Sequence, residues 1–473
     1  MRFKTFGGFA DASVIYYSGD GYYYCKNRVM SGGRLSLACT LKGRCPGRAS
    51  CKADLSDGRI TTPHNHRGDR SFKQKRELRK AILDRCRMKD PCSFRDIVEQ
   101  ESEGYSRAIK MANHHNSLRS AMRRARLQRF PKVPGTLTDL GKVLRKRKNR
   151  HITRSRDGRH NLFFGAVGSG RAKTRSLIFM TRRQLARMRK SRKLFADGTW
   201  DARPSKPKSR QVFSISTCTK DRRVLPLAVV LMESRTEAAY HKLFSTLRDH
   251  GCNPRVVHTD FEAAQYNMWK SVFGRQLKVE GCLFHYVVRL RKKAKKLRLT
   301  TLLKRNHAAN SIVRSCNAVP LLPHNRIEEG LATLKLKARR AGLGRHLQPF
   351  FQYVEATWVP RRRILSVFNS NDRTNNVAET WNKTLTLAVK QKSPNIWLFI
   401  DALLKLEERF AQDLYNVRHG RPVNRLRKSS AVRNDRVIKQ LTMSLLAEDK
   451  SMSRFLQRAS YRMQNVWNPI YGN

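Results

Sequence analysis

In a chain with 99 Lys and Arg residues against 35 Asp and Glu, an acid at the end of an apolar run invites a chemical reading. Asp197 closes Leu194-Phe195-Ala196, which reads as a strand, and precedes Gly198-Thr199-Trp200. Asp260 closes Arg255-Val256-Val257-His258-Thr259 and precedes Phe261-Glu262. Two carboxylates held side by side in so positive a field are best explained by a hard cation. Mg2+ takes oxygen ligands and keeps positions open for water and phosphate. Two such ions about 3.5–4 Å apart stabilise both the attacking and the leaving oxygen of an in-line displacement. The competing reading is that each acid caps a helix or pairs with a nearby arginine.

Two further sets have ligand chemistry. Cys39 and Cys45, followed by His64-Asn65-His66, form a Cys-Cys-His-His set suited to one Zn2+ in a closed tetrahedron. Cys51 is a rival to Cys45 in that set, and free thiols in a loose segment are the alternative. Cys282 and His285 have the spacing that places both on one helix face. Two ligands do not close a zinc site, so a buried thiol and a hydrogen-bonded imidazole fit equally well.

The elements that must position these groups follow from periodicity. Residues 1–70 hold short strands, Gly21-Tyr22-Tyr23-Tyr24 and Arg34-Leu35-Ser36-Leu37, around a Ser-Gly-Gly turn. A core this small needs a staple such as a metal. From Phe72 to about Asn149 long basic helices are expected, with Ile97, Ile109, Met111, Leu118, Met122 and Leu127 as apolar positions, until Pro131 and Pro134 break the pattern. A hairpin is expected around Gly165-Ala166-Val167-Gly168. From Arg192 the order becomes strand, strand, strand, helix, strand, helix, strand. Gln211–Cys218 alternates, Val224–Met232 is a continuous apolar run, and Ser234-Arg235-Thr236-Glu237 reads as a capping box opening a helix with Ala238, Ala239, Leu243, Phe244 and Leu247 on one face. This α/β pattern is that of a ribonuclease-H-like core, in which the first and fourth strands are neighbours, so Asp197 and Asp260 would lie together. The basic segment from Leu283 to about Arg373 is too long for a loop and reads as a helical insertion. The expected division is 1–70, a basic helical DNA-binding or linker region 71–180, a core 181–395 with an insertion at about 286–373, and a helical region 396–473.

The balance 99 − 35 = +64 attracts polyanions and points to a phosphate backbone as partner. A coating protein of ribosomal or chromatin type shares that charge but does not explain scarce acids at strand ends. No apolar run of about 18 residues is present, so no membrane span is expected. The scattered cysteines suit a reducing compartment, and Arg145-Lys146-Arg147-Lys148 and Lys292-Lys293-Ala294-Lys295-Lys296 read as nuclear signals.

At these residues the sequence resembles known families. Ala196-Asp197-Gly198-Thr199-Trp200 and Thr259-Asp260-Phe261-Glu262 resemble the first two acidic blocks of Mutator-like element (MULE) transposases. Trp200 stands where that family more often has Phe. Gly281-Cys282-Leu283-Phe284-His285 looks like their Cys-x-x-His motif, and Asn375-Asn376-Val377-Ala378-Glu379-Thr380-Trp381-Asn382 is similar to their third block. The resemblance implies a DDE-type transposase in which Asp197, Asp260 and Glu379 hold two Mg2+ (or Mn2+) ions, with Cys282 and His285 as accessory residues. It implies double-stranded DNA, at element termini and target, as partner, a homodimer to act on both ends, and a nuclear location. A domesticated regulator that binds DNA without cutting it is the alternative. The N-terminal segment resembles a FLYWCH zinc finger with Cys39, Cys45, His64 and His66 as ligands, Leu37 standing where a Trp is usual. Arg28, Arg34, Lys42 and Arg48 would then contact phosphate.

Overall fold

The computed structural model describes every residue except 8–13, 42, 89–91, 220–221, 371, 390–391, 422–428 and 463–473. It divides after Pro131 into two compact units, Met1–Pro131 and Lys132–Asn473.

The first unit opens with a β-rich region, as its alternating Tyr, Leu and Cys residues require. Strands β1 (Lys4–Gly7), β2 (Val14–Tyr17), β3 (Tyr23–Val29), β4 (Leu35–Cys39), β5 (Arg48–Cys51) and β6 (Arg59–Thr62) pair in chain order as an antiparallel sheet. The β3–β4 turn uses Gly32 and Gly33 at φ +83° and +75°, values that cost glycine little. Its core is small: Phe3, Tyr16, Tyr24, Leu35, Leu37, Ala49 and Cys51. Four short helices follow, α1 (Phe72–Arg87), α2 (Phe94–Glu101), α3 (Arg107–Ala112) and α4 (His115–Gln128). They close over Leu78, Ile82, Cys86, Ile97, Val98, Ile109, Leu118, Met122 and Ala125. The helices are shorter than the sequence pattern suggests, because Ser93 starts α2 afresh with a capping box to Asp96. Met111, read as an apolar core position, is 65% exposed.

The second unit is mixed α/β. It begins with α5 (Leu137–Arg145), α6 (Arg150–Thr153), β7 (Phe163–Val167), β8 (Ser176–Phe179) and α7 (Arg182–Arg189). Then come β9 (Lys193–Thr199), β10 (Gln211–Cys218), β11 (Val224–Met232), α8 (Glu237–Asp249), β12 (Val256–Thr259), α9 (Ala263–Phe273) and β13 (Lys278–Gly281). The sheet runs β13-β12-β9-β10-β11-β8-β7. Strand β12 lies parallel to β9 and β13 parallel to β12, while the remaining pairs are antiparallel. The hairpin β7–β8 therefore extends this sheet from its β11 edge.

Strands β9, β10 and β12 bury one face in a common core with α8 and α9, and the helix Asn376–Val389 packs on the other face at β9 and β10. Leu194, Ala196, Phe213, Ile215, Val257 and Val279 join Phe244 and Trp269 in the apolar core. Burying a side chain such as Phe244 contributes about 1.5–3 kcal/mol. The alternate positions, Phe195 and Asp197 on β9 and His258 on β12, face the other way, and Phe195 stacks on His258 at 5.3 Å. Helix α8 differs from its sequence reading. Thr236, not Ser234, is the N-cap, its side chain accepting from Ala239 N, and Ala238 is exposed.

After β13 the chain makes a helical excursion: α10 (Leu283–Lys296), α11 (Thr300–Arg305), α12 (His307–Ser315), α13 (Ile327–Arg340), α14 (Gly344–Trp358) and α15 (Arg362–Leu365). It returns as α16 (Asn376–Val389) and α17 (Ile396–Arg418), followed by α18 (Ser429–Leu446) and α19 (Met452–Tyr461). Helix α19 packs against α12 and α13. Helix α17 packs against α16 and β11, and its buried Glu407 accepts from Arg183 at 2.5 and 2.8 Å.

Candidate active site and metal centre

The site in the second unit is built where two parallel strands end. Residues of odd number on β9 and even number on β12 share the face opposite α8 and α9, so Asp197 and Asp260 come out on one side of the sheet. Helix α16 crosses the same face and packs on β9 and β10. Glu379 lies in its first turn.

Two asparagines fix that helix. Asn375 Nδ2 donates to Ala196 O at 3.0 Å, and Asn382 Nδ2 donates to Asp197 Oδ2 at 2.8 Å. Asn382 Oδ1 in turn accepts from Ser214 Oγ at 2.8 Å, and Ser214 is the residue paired with Asp197 across β9 and β10. The alternation along β10 is thus not a water-facing pattern, since Ser214 and Ser216 are fully buried in a polar seam. Positions 375, 379 and 382 follow helical spacing, so both anchors share a face with Glu379. The sequence carried that signal in the spacing of its asparagines around Glu379.

The three carboxylates crowd one another. Burial, then the charge of Asp260, pushes the Asp197 carboxyl up to about 7. Burial, together with Asp260, also raises Glu379. Among the described residues neither Asp197 nor Glu379 pairs with a Lys or Arg, and Glu379 Oε1 is buried without a hydrogen-bond partner. In a chain of net charge +64, that is a place where a positive charge belongs and no side chain supplies enough of it. The nearest cation is His285, whose Nδ1 lies 2.8 Å from Asp260 Oδ1. Burial opposes its charge, but Asp260, with Cys282, raises it to about 11. Cys282 is buried at the start of α10 and accepts from Asn375 N at 3.3 Å. One donor atom each from Asp260, Cys282 and His285 lies within 4.8 Å of the others. The oxygen-rich, under-compensated cluster fits a divalent cation.

The second centre lies in the first unit. Donor atoms of Cys39, Cys45, His64 and His66 lie within 4.8 Å of one another. Cys39 Sγ is 3.4 Å from His66 Nε2, Cys45 Sγ is 3.3 Å from His64 Nδ1, and the two imidazole nitrogens are 3.2 Å apart. A tetrahedron with ordinary zinc–sulfur and zinc–nitrogen bonds has edges of roughly 3.3–3.8 Å. The outer nitrogens are also held: His64 Nε2 contacts Tyr24 Oη at 2.8 Å, and His66 Nδ1 contacts Arg67 O at 2.9 Å. Tyr22 stacks on His64 at 4.0 Å, so the aromatic strand orients the ligands. Backbone N–H groups of Leu41 and Gly47 donate to the two sulfurs. Gly47 is required there, because a Cβ would sit 2.5 Å from His64 Nδ1. Cys51 lies in the apolar core and does not join the cluster.

The basic residues read as phosphate contacts divide. Arg28 and Arg48 are exposed. Arg34 is committed to Asp57, donating to its carboxylate at 2.7 Å and its carbonyl at 2.8 Å, so it braces the sheet instead of waiting for phosphate. Lys42 lies outside the described residues.

The second unit is therefore a mixed α/β domain with an acidic cluster at the ends of parallel strands. The MULE transposase domain, as a family model, matches residues 194–289, a span that includes Asp197, Asp260, Cys282 and His285. The match supports a MULE-type transposase and a DNA-related function. No curated protein matches the chain. Among the described residues, no helix is long and apolar enough to cross a membrane.

Proposed function

We propose that the chain is a DDE-type DNA transposase of the Mutator-like kind, with Asp197, Asp260 and Glu379 as its catalytic carboxylates. The observation that carries this reading is the meeting of three carboxylates, without a Lys or Arg partner among the described residues, in a strongly basic chain. The order β13-β12-β9-β10-β11 supports a ribonuclease-H-like core, since β9 takes the first position and β12, its parallel neighbour, the fourth.

Asp197, Asp260 and Glu379 would hold Mg2+ or Mn2+. Bound there, the ions supply Lewis-acid stabilisation to the oxygens of an in-line phosphoryl transfer. The chain's own side chains do the positioning. Asn382 fixes one oxygen of Asp197 and Gly198 N–H the other, at 2.8 Å each. His285 holds Asp260 from the insertion side. The reaction is hydrolysis of a phosphodiester at an element end, leaving a 3′-hydroxyl. That hydroxyl then attacks a phosphorus of target DNA and displaces a 3′-oxygen there, so bonds broken and formed balance.

The first unit serves as a FLYWCH-type finger holding one Zn2+ through Cys39, Cys45, His64 and His66, with Arg28 and Arg48 toward phosphate. Action on two ends makes a homodimer the working form. The basic clusters 145–148 and 292–296 direct the chain to the nucleus. The test is strand cleavage and strand transfer with Mg2+ on double-stranded DNA carrying the element's termini. Activity in the wild type and its loss in Asp260→Asn support the reading. Equal products from both overturn it, and DNA binding without cleavage in the wild type identifies a domesticated regulator instead.

A further inference from the structure

Helix α4 has two sharply different faces. Leu118, Met122 and Ala125 point into the core of the first unit. On the opposite side, at steps of about 100° per residue, stand Asn116, Ser120 and Arg123, with Arg119 at the edge of that face. All four are exposed. Among the described residues neither Arg119 nor Arg123 pairs with a carboxylate, and the chain has no acid between Glu103 and Asp139.

The helix is also firmly held. It follows α3 after the two-residue turn Asn113-His114. Asn113 is buried, and its Nδ2 donates to Lys75 O on α1 at 2.9 Å and to Ile109 O on α3 at 3.2 Å. Arg126 donates to Cys92 O at 3.0 Å and lies 4.3 Å from the Phe94 ring, tying α4 to α2. A solvated basic face needs no such anchoring, and it needs no Asn and Ser between its arginines.

We propose that α4 is a major-groove reading helix, supported by α1 and α2 and entered from α3 through the two-residue turn. The proposal rests on the DNA reading above and assigns the sequence-reading element within it. At 14 residues α4 is about 21 Å long, and a B-DNA major groove about 12 Å wide accepts one helix. Asn pairs bidentately with adenine and Arg with guanine, whereas the flanking Arg124 suits the phosphates. The partner is double-stranded DNA because the face carries base-edge donors on a straight helix and no aromatic platform for unstacked bases.

The experiment selects duplexes from a randomised double-stranded pool with the full chain, in the wild type and in the variants Asn116→Ala, Arg119→Ala and Arg119→Lys. The wild type is expected to enrich a motif. Asn116→Ala and Arg119→Ala each lose preference at one or two base pairs and bind the wild-type motif about tenfold more weakly or worse. Arg119→Lys keeps the charge, so it regains binding to unselected DNA but not the lost preference. A wild type that enriches no motif overturns the proposal, as do alanine variants that select the same motif at unchanged affinity, or a lysine variant that restores the preference. Magnesium-dependent nicking of plasmid DNA, measured alongside, tests the catalytic reading separately. Its absence leaves the selection result standing, and unchanged helical circular dichroism and zinc content of the variants show that the first unit folds.

Discussion

Asn382 on α16 donates to Asp197 Oδ2 on β9 at 2.8 Å, across 185 positions of chain. The same amide accepts from Ser214 on the neighbouring strand. One side chain thus ties the helix that carries Glu379 to the strand that carries Asp197. Replacing it by a residue of similar volume, Asn382→Leu, leaves Asp197 free to turn. Magnesium-dependent strand cleavage is expected to fall about 10–100-fold, the usual cost of losing a group that orients a metal ligand. The magnesium concentration for half-maximal rate should rise, while DNA binding without magnesium stays as it was. A variant with normal magnesium response would show that Asn382 serves packing alone.

The donor distances in the first unit make a discriminating prediction about its cysteines. Cys45→Ala removes one corner of the tetrahedron and should leave the full chain with no tightly held zinc. Cys51→Ala removes a core thiol outside the cluster and should retain about one zinc per chain. Elemental analysis after gel filtration reads both. Chelation should also melt the β-sheet, whose core is too small to stand alone, and circular dichroism should register that loss. Zinc retained in Cys45→Ala would remove that residue from the ligand set.

Behind the carboxylates lies a buried ionic group. Glu280 sits 2.6 Å from His258 Nε2 and 2.7 Å from Lys278 Nζ, and Ser370 Oγ donates to it at 2.9 Å. Burial opposes its charge, but His258, Lys278 and Lys193 hold it down to about 2. His258 itself is shifted down by burial and serves as a neutral donor. Glu280 is only 3% exposed at the side chain, so Glu280→Ala, which leaves the buried His258 without its acceptor, should cost about 1–3 kcal/mol of stability. Its folded value lies below the ordinary 4.5, so its contribution is present above that pH and is lost as pH falls toward 2. Denaturant unfolding across that window should show a shallower acid slope in the variant than in the wild type. Equal slopes would count against the pairing.

Much of the second unit was legible because its strands are apolar and its helices periodic. The spans of β10 and β11 match the alternating and continuous apolar runs, and the parallel pairing of β9 with β12 places Asp197 and Asp260 as the strand order implied. Long-range partners were not legible. Nothing local to Asn382 names Ser214, and nothing in the hairpin β7–β8 says that it extends the β11 edge. Arg34 reads like any surface arginine until Asp57 is brought beside it. The capping box at Ser234 failed because Thr236, two residues on, competes for the same role and wins.

The excursion α10–α15 begins and ends at one point. Cys282, where it leaves the sheet, accepts from the backbone of Asn375, where it returns, and Leu283 N donates to Arg373 O at 3.0 Å. The two ends are stapled together beside the carboxylates, so the distance that Glu379 must span is set by this neck and not by what lies beyond it. A closed neck also lets the connections within the excursion vary, because loop-closure cost grows only slowly with added length. Loops of the excursion can therefore change length while Asp197, Asp260 and Glu379 keep their places at the neck.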